Sequence, residues 1–278
     1  MTDLSSQLRD VRGPSALGGG WRRSLELLYL IAVTDFKRSY LGTALGYLWS
    51  LGRPLMLFAV LLTVFTQAFD LGDRVVQYPV LLLLNIVLFS FFQESTTQAV
   101  SSIVSQESVV RKTQFPRLVI PLAVVLTSLF NLAVNLVVVL AFMLIAGVDP
   151  RWSWLLFPVV LLLLFVLTTA VATLLAALFP RFRDTAILWS VAVTALFYAT
   201  PVLYPLELIS GWVGDLIAMN PLTPIFELAR RWMIDPGAPW PAAGGSWRLV
   251  LPLALFATVC VLAAWVFRRE APRIAEEL

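Results

Sequence analysis

Six apolar runs, each free of Asp, Glu, Lys, Arg and His, constrain this chain more than any other feature. They extend over Pro54–Phe69, Tyr78–Phe92, Leu118–Gly147, Trp152–Phe179, Ala186–Tyr204 and Leu249–Phe267. A helix needs ~20 residues to cross ~30 Å of hydrocarbon. The third and fourth runs exceed that length, and the first two reach it by borrowing helix from their polar flanks. Hydrophobic residues make up 59% of the 278 residues and charged residues 13%, whereas soluble domains carry about 25% charge. The chain therefore reads as an all-α integral membrane protein with six transmembrane helices, one transmembrane domain over residues 21–278 behind a flexible tail at 1–20.

The charge supports the same division. The formal net charge is +3, carried by 18 Arg and 2 Lys that lie between the apolar runs. A nucleic-acid footprint would gather them on one polar face, so no nucleic-acid partner is expected. If the N-terminus lies inside, fifteen of these cations fall on inner segments and five on outer ones. The positive-inside rule then puts both termini in the cytoplasm. The first residues hold Arg9, Arg12, Arg22 and Arg23 without an apolar core, so no cleavable signal peptide is expected and insertion uses the internal spans.

What the runs lack narrows the chemistry. There is no histidine, and Cys260 is the one cysteine, so neither a disulfide within the chain nor a site of several metal-binding cysteines is expected. Ion-coupled carriers hold ionisable groups inside the membrane, and these runs hold none. Neither Lys37 nor Lys112 follows a glycine, so the phosphate-binding loop G-x-x-x-x-G-K-[ST] is missing. The chain thus has no energy source of its own and points to a separate motor subunit. An intramembrane enzyme would need convergent catalytic groups, and only Glu94, at a span edge, approaches that description.

Three polar segments interrupt the apolar pattern. Trp21–Tyr40 carries Leu25, Leu28, Tyr29, Ala32 and Phe36 at helical spacing beside Glu26, Asp35, Lys37 and Arg38. It reads as an amphipathic helix in the membrane interface. Gln93–Arg117 is polar and charged and ends in Phe115-Pro116-Arg117, with a new helix expected after Pro116. Pro205–Trp247 contains two apolar pieces separated by Asn220-Pro221-Leu222-Thr223-Pro224. Both are too short to span, so they read as two short re-entrant outer helices before the last span. Asp184, at the head of the fifth run, is placed to cap its helix. Glu227 and Arg230, three apart, are placed to pair at the outer mouth. The aromatics Tyr47, Trp49, Phe58, Phe65, Phe89, Phe197 and Tyr198 suit an interfacial belt or the lining of a channel for sugar rings.

Several local patterns occur in a fixed order relative to the spans. They are Asp35-Phe36-Lys37-Arg38-Ser39-Tyr40-Leu41-Gly42 with Gly46-Tyr47-Leu48-Trp49, Phe115-Pro116-Arg117, Phe182-Arg183-Asp184, Thr200-Pro201-Val202-Leu203-Tyr204-Pro205, and Asn220-Pro221-Leu222-Thr223-Pro224. Together, over residues 24–267, they resemble the ABC-2 type permeases, in the branch exporting O-antigen, teichoic acid, capsule or galactan polymers. The resemblance implies a non-catalytic subunit of the plasma membrane that moves a polyprenyl-diphosphate-linked glycan. It implies a homodimer in the membrane with two copies of an ATPase subunit, which would bind ATP and Mg; no cofactor is expected on this chain. A drug or lipid exporter permease of the same superfamily is the alternative. The family's coupling helix would fall on Ser101–Gln114 and its interface helix on Ser24–Leu41. Glu107, Arg111, Lys112, Phe115 and Arg117, with Asp35 and Arg38, would then dock the ATPase.

Overall fold

The computed structural model describes residues 21–40, 48–106, 117–243 and 245–270. Among them every regular element is a helix. The first is α1 (Trp21–Tyr40), followed by α2 (Leu48–Gln67), the single turn α3 (Leu71–Arg74) and the long α4 (Tyr78–Ser105). Next come α5 (Val119–Ile145), a 3-10 turn (Trp152–Leu156) leading into α6 (Phe157–Leu178), and α7 (Thr185–Tyr198). A further 3-10 turn (Leu206–Leu208), two short helices, α8 (Trp212–Met219) and α9 (Thr223–Met233), and the last helix α10 (Trp247–Glu270) complete the order. Four helical stretches are long and apolar enough to cross a membrane: α4, α5, the 3-10 turn with α6, and α10. The apolar parts of α2 and α7 are shorter.

The centre of the bundle is α4, which packs against α2, α5, α6 and α7. Its sequence, YPVLLLLNIVLFSFF, is apolar around the whole circumference, the pattern of a helix enclosed on all sides. Leu81 to Phe89 are all buried. Pro79 sits in the first turn, where its missing N–H removes no helical bond. On α6, Ala170, Ala172, Ala176 and Ala177 are buried, facing helices α4 and α10 that pack on it. Lipid tails are as apolar as leucine, so small side chains that let backbones approach hold such helices together. The outward surfaces remain apolar: Ile187, Leu188 and Val191 on α7 and Leu253 and Val261 on α10 are exposed.

The expected segments and the observed helices agree for α1, whose limits are Trp21 and Tyr40. Its apolar residues are divided between two surroundings. Ala32 is buried and its carbonyl accepts from Thr127 Oγ1 at 3.3 Å. Phe36 meets Phe130 edge to face at 5.6 Å. Tyr29 and Leu30 are exposed. Two expectations need correction. The fifth run was expected to be helical to Tyr204, but α7 ends at Tyr198. Proline at 201 has no N–H to donate and its ring excludes the preceding helical turn. Asp184 occupies the position before α7 with helical backbone angles and makes no capping hydrogen bond; Thr185 Oγ1 donates to the Phe182 carbonyl at 2.6 Å instead.

Candidate functional site

The interruption after α7 organises one end of the bundle. Residues 199–205 leave the helix in the middle of an apolar chain, so their carbonyls need partners other than water. Thr200, Pro201, Val202, Leu203 and Pro205 are all buried. Nonhelical backbone at membrane depth is tolerated only where protein or a wet cavity surrounds it, and here protein supplies the partners. Asn85 Nδ2, on α4, donates to the carbonyls of Pro201 at 3.0 Å and Val202 at 3.2 Å. Tyr78 Oη, two turns earlier on the same helix, donates to the Leu203 carbonyl at 3.0 Å. Asn220 Nδ2 donates to the Ala199 carbonyl at 3.1 Å and to Thr200 Oγ1 at 2.8 Å.

The two short helices fold over this segment and form a cap. Asn220 ends α8 and its Oδ1 accepts the Leu222 N–H at 3.0 Å. Thr223 Oγ1 donates to the Ile217 carbonyl at 2.6 Å, which turns the chain sharply from α8 into α9. Pro224 in the first turn of α9 fits a helix start. The motif Asn220 to Pro224 is thus a hydrogen-bonded corner. Ser153 Oγ and Trp154 Nε1 donate to the carbonyls of Trp232 and Met233 at 2.6 and 3.0 Å, which closes the far end of α9. Gln77 Nε2 reaches the Ala146 carbonyl at 3.4 Å, and Arg248 Nη2 meets Asp215 Oδ1 at 2.8 Å. The loops expected on the outer side therefore meet at one end of the molecule.

A buried ionic cluster sits inside the cap. Arg230 is 4% exposed and Glu227 6%. The expected pair between them is long, with Arg230 Nη1 3.8 Å from Glu227 Oε2. Arg230 Nη2 lies nearer Glu207 Oε1, at 2.8 Å, and also faces Asp235 Oδ2 at 3.5 Å. Glu227 Oε1 accepts the Leu206 N–H at 3.0 Å. Burial holds the Glu227 carboxyl above its ordinary range, against the opposing pull of the Leu206 N–H and the Arg230 charge. This cluster ties α9 to the start of the 206–208 turn.

The remaining candidates are spread along the molecule. Phe89 is 1% exposed and packs on Phe197 edge to face at 5.1 Å and on Phe92 at 5.9 Å. Phe197 also meets Tyr198 at 5.3 Å, and Tyr198 is exposed. Phe58 contacts Phe142 on α5 at 5.7 Å, and Phe65 stacks on Phe69 at 5.2 Å. Phe89, Phe197 and Tyr198 thus form one aromatic row, while Phe58 and Phe65 belong to other contacts. Asp35 lies on α1 and Arg117 just before α5, both partly exposed. Tyr47, Glu107, Arg111, Lys112 and Phe115 lie outside the described residues, as do the side chains of Arg38 and Trp49. Glu94 accepts from Asn131 Nδ2 at 2.8 Å and Gln98 Nε2 at 3.2 Å.

The residues that sequence reasoning missed are Tyr78 and Asn85. An asparagine inside YPVLLLLN was the available signal, since an amide in an otherwise apolar run needs a polar partner. The chain is 28% identical to the O-antigen export system permease protein RfbA of Myxococcus xanthus over 258 residues, 91% of this chain and 95% of that protein. Two proteins of the same name from Klebsiella pneumoniae are 28% and 29% identical over 198 residues, 71% of this chain and 76% of each relative. Residues 26–234, from α1 through the cap, match the ABC-2 type transporter family, and the chain belongs to that family.

Proposed function

We propose that this chain is the permease subunit of an ABC exporter that carries a lipid-linked cell-surface polysaccharide across the plasma membrane, driven by ATP hydrolysis on a separate subunit. The observation that carries this reading is the similarity to O-antigen export permeases along 91% of the chain. The apolar runs support it from the physical side, because they hold no ionisable group to bind a coupling ion.

In this reading six helices cross the membrane and both termini are cytoplasmic. α2 and α7 complete the four long spans. At a rise of 1.5 Å per residue the 14 residues of α7 reach only ~21 Å. The largely buried 199–205 segment completes its crossing and leads into the cap on the outer side. Two copies pair to form the pathway, and two ATPase subunits bind ATP and Mg below them. Glu107, Arg111, Lys112, Phe115 and Arg117 receive the ATPase, with Asp35 and Arg38 of the interface helix beside them. ATP hydrolysis then moves the bundle as rigid pieces between closed and open states.

The test is co-expression with the candidate ATPase subunits and purification through a tag on this chain alone. The ATPase is expected to travel with it, and Glu107→Arg to lower transport. Absence of any ATPase, with transport unaffected by Glu107→Arg, removes the coupling assignment. Depletion of the chain is expected to leave lipid-linked glycan in the cytoplasmic leaflet. Intracellular accumulation of a drug or lipid instead assigns the chain to the other exporter class.

A further inference from the structure

The end of the bundle opposite the cap gathers arginines from two distant parts of the chain. α6 leaves the cap beside Trp154, which holds the Met233 carbonyl, and its 22 residues run ~33 Å to Leu178. α10 starts beside the cap, where Arg248 meets Asp215, and ends at Glu270. The far ends of the two helices are joined. Phe267 packs in one buried cluster with Ala176 and Ala177, and Arg181 Nη1 lies 3.9 Å from Glu270 Oε1. Arg181 and Arg183 therefore share one rim with Arg268 and Arg269.

The positive-inside rule asks only for charge, whereas these guanidiniums also have seats. Arg183 lies 5.1 Å from the centre of the Phe179 ring, Arg181 5.4 Å from that of Phe182 and Arg269 5.3 Å from that of Trp265. A guanidinium over a ring face keeps its charge and N–H groups for a further partner. Among the described residues no ion pair takes up Arg183, Arg268 or Arg269. Residues 181–184 and 265–270 hold these four arginines against Asp184 and Glu270, so positive charge is in surplus. The surface above them is apolar. Val261, Leu262, Trp265, Arg268 and Arg269 are exposed along one face of α10, while Ala263 and Phe267 are buried. Beside the other pair, Phe182, Ile187 and Leu188 are exposed. Acyl chains fit the apolar stretch, the Trp265 indole fits the headgroup boundary, and a phosphate fits the guanidinium N–H groups. A second copy placed on this face by a two-fold axis would set arginine against arginine. A zwitterionic headgroup brings a cation of its own to a rim already in positive surplus, and an anionic headgroup does not.

We propose that this rim binds the phosphate of an anionic phospholipid of the inner leaflet, with the acyl chains lying along α10. The site does not depend on which molecule is exported. It is tested by native mass spectrometry of the full chain, alone and with its ATPase, titrated in mild detergent with phosphatidylglycerol and separately with phosphatidylcholine. Phosphatidylglycerol should be retained in preference. Arg268→Gln with Arg269→Gln should weaken that retention about 30-fold, the equivalent of ~2 kcal/mol for two arginines. Arg268→Lys with Arg269→Lys should keep most of it, which shows that the helix end still folds. Arg151→Gln, at the cap end, should leave it unchanged. Equal retention of the two lipids, or equal losses from the Arg268→Gln, Arg269→Gln chain and the Arg151→Gln chain, overturns the site. Release of the ATPase from the Arg268→Gln, Arg269→Gln chain with phosphatidylglycerol retention unchanged overturns it too, and assigns the rim to the ATPase. Stronger retention of a polyprenyl diphosphate than of phosphatidylglycerol assigns the rim to a lipid-linked substrate instead.

Discussion

Replacing Asn85 by leucine tests whether the break after α7 is held closed from α4. Leucine keeps the branched four-heavy-atom outline of asparagine and is larger, so the substitution leaves no cavity and removes the polar contacts. The substitution removes the donor shared by the Pro201 and Val202 carbonyls, at 3.0 and 3.2 Å. A buried carbonyl left unpaired costs ~1–3 kcal/mol, so two cost several. The asparagine Oδ1 has no partner, and removing that orphan offsets about one of the two, leaving ~2 kcal/mol. Side-chain hydrogen bonds between membrane helices average only ~0.6 kcal/mol, because alternative partners exist in the unfolded helix. A stretch bounded by Pro201 and Pro205 offers no helical alternative, so the larger figure applies. Hydrogen–deuterium exchange on nanodisc-embedded protein reads the effect directly. Amides of the peptides covering 199–210 should exchange ~30-fold faster, the equivalent of ~2 kcal/mol. Peptides from α5 and α10 should be unchanged. Wild-type exchange in 199–210, or acceleration spread evenly over the chain, refutes the assignment of Asn85 as the local clasp.

Two further outcomes concern the ionic cluster. Arg230→Met strands the buried Glu227 carboxylate, and loss of one partner of such a pair costs ~3–5 kcal/mol. A lower thermal midpoint by size-exclusion-monitored melting is expected, with part of the loss recovered in the Arg230→Met, Glu227→Gln double variant. Glu227 also gives the cap a pH dependence. Its carboxyl is raised above 4.5 in the folded protein by burial, so the folded state binds the proton more tightly than the unfolded one. Its stabilising contribution is therefore present below about 4.5 and lost as pH rises through the raised value. Relative to Glu227→Gln, wild type should gain stability as pH falls from about 7 toward that range, measured as the difference in melting midpoint; a constant difference would contradict the burial of this carboxyl.

The outlines of the fold were legible because hydropathy and helix breakers act locally. Trp21–Tyr40 emerged at its observed limits, and the corner at Asn220 to Pro224 was recognisable from its prolines. The partners of the broken segment were not, because Tyr78 and Asn85 lie 125 and 116 residues away from the carbonyls they bind. Pro201 was the local signal that α7 stops short of Tyr204, whereas the α4 side chains that hold the Pro201, Val202 and Leu203 carbonyls beyond the stop had no local signal of their own. At Arg230 the spacing to Glu227 was visible along one helix, whereas the nearer carboxylate, Glu207, is on another element. Asp184 shows the limit of local rules in the other direction. Its residue type suits a cap, but its backbone is already helical and its side chain makes no capping hydrogen bond.

The unbroken course of α4 has a mechanical meaning. Its 28 residues span ~42 Å as one rod. One tip carries Tyr78, clasping the Leu203 carbonyl, and the other tip, at Ser105, runs directly into the polar stretch that precedes Arg117. A push-rod of this kind has no joint in which motion can be absorbed. An axial shift of this rod would carry Tyr78 and Asn85 with it, and with them the hold on the carbonyls of Pro201, Val202 and Leu203.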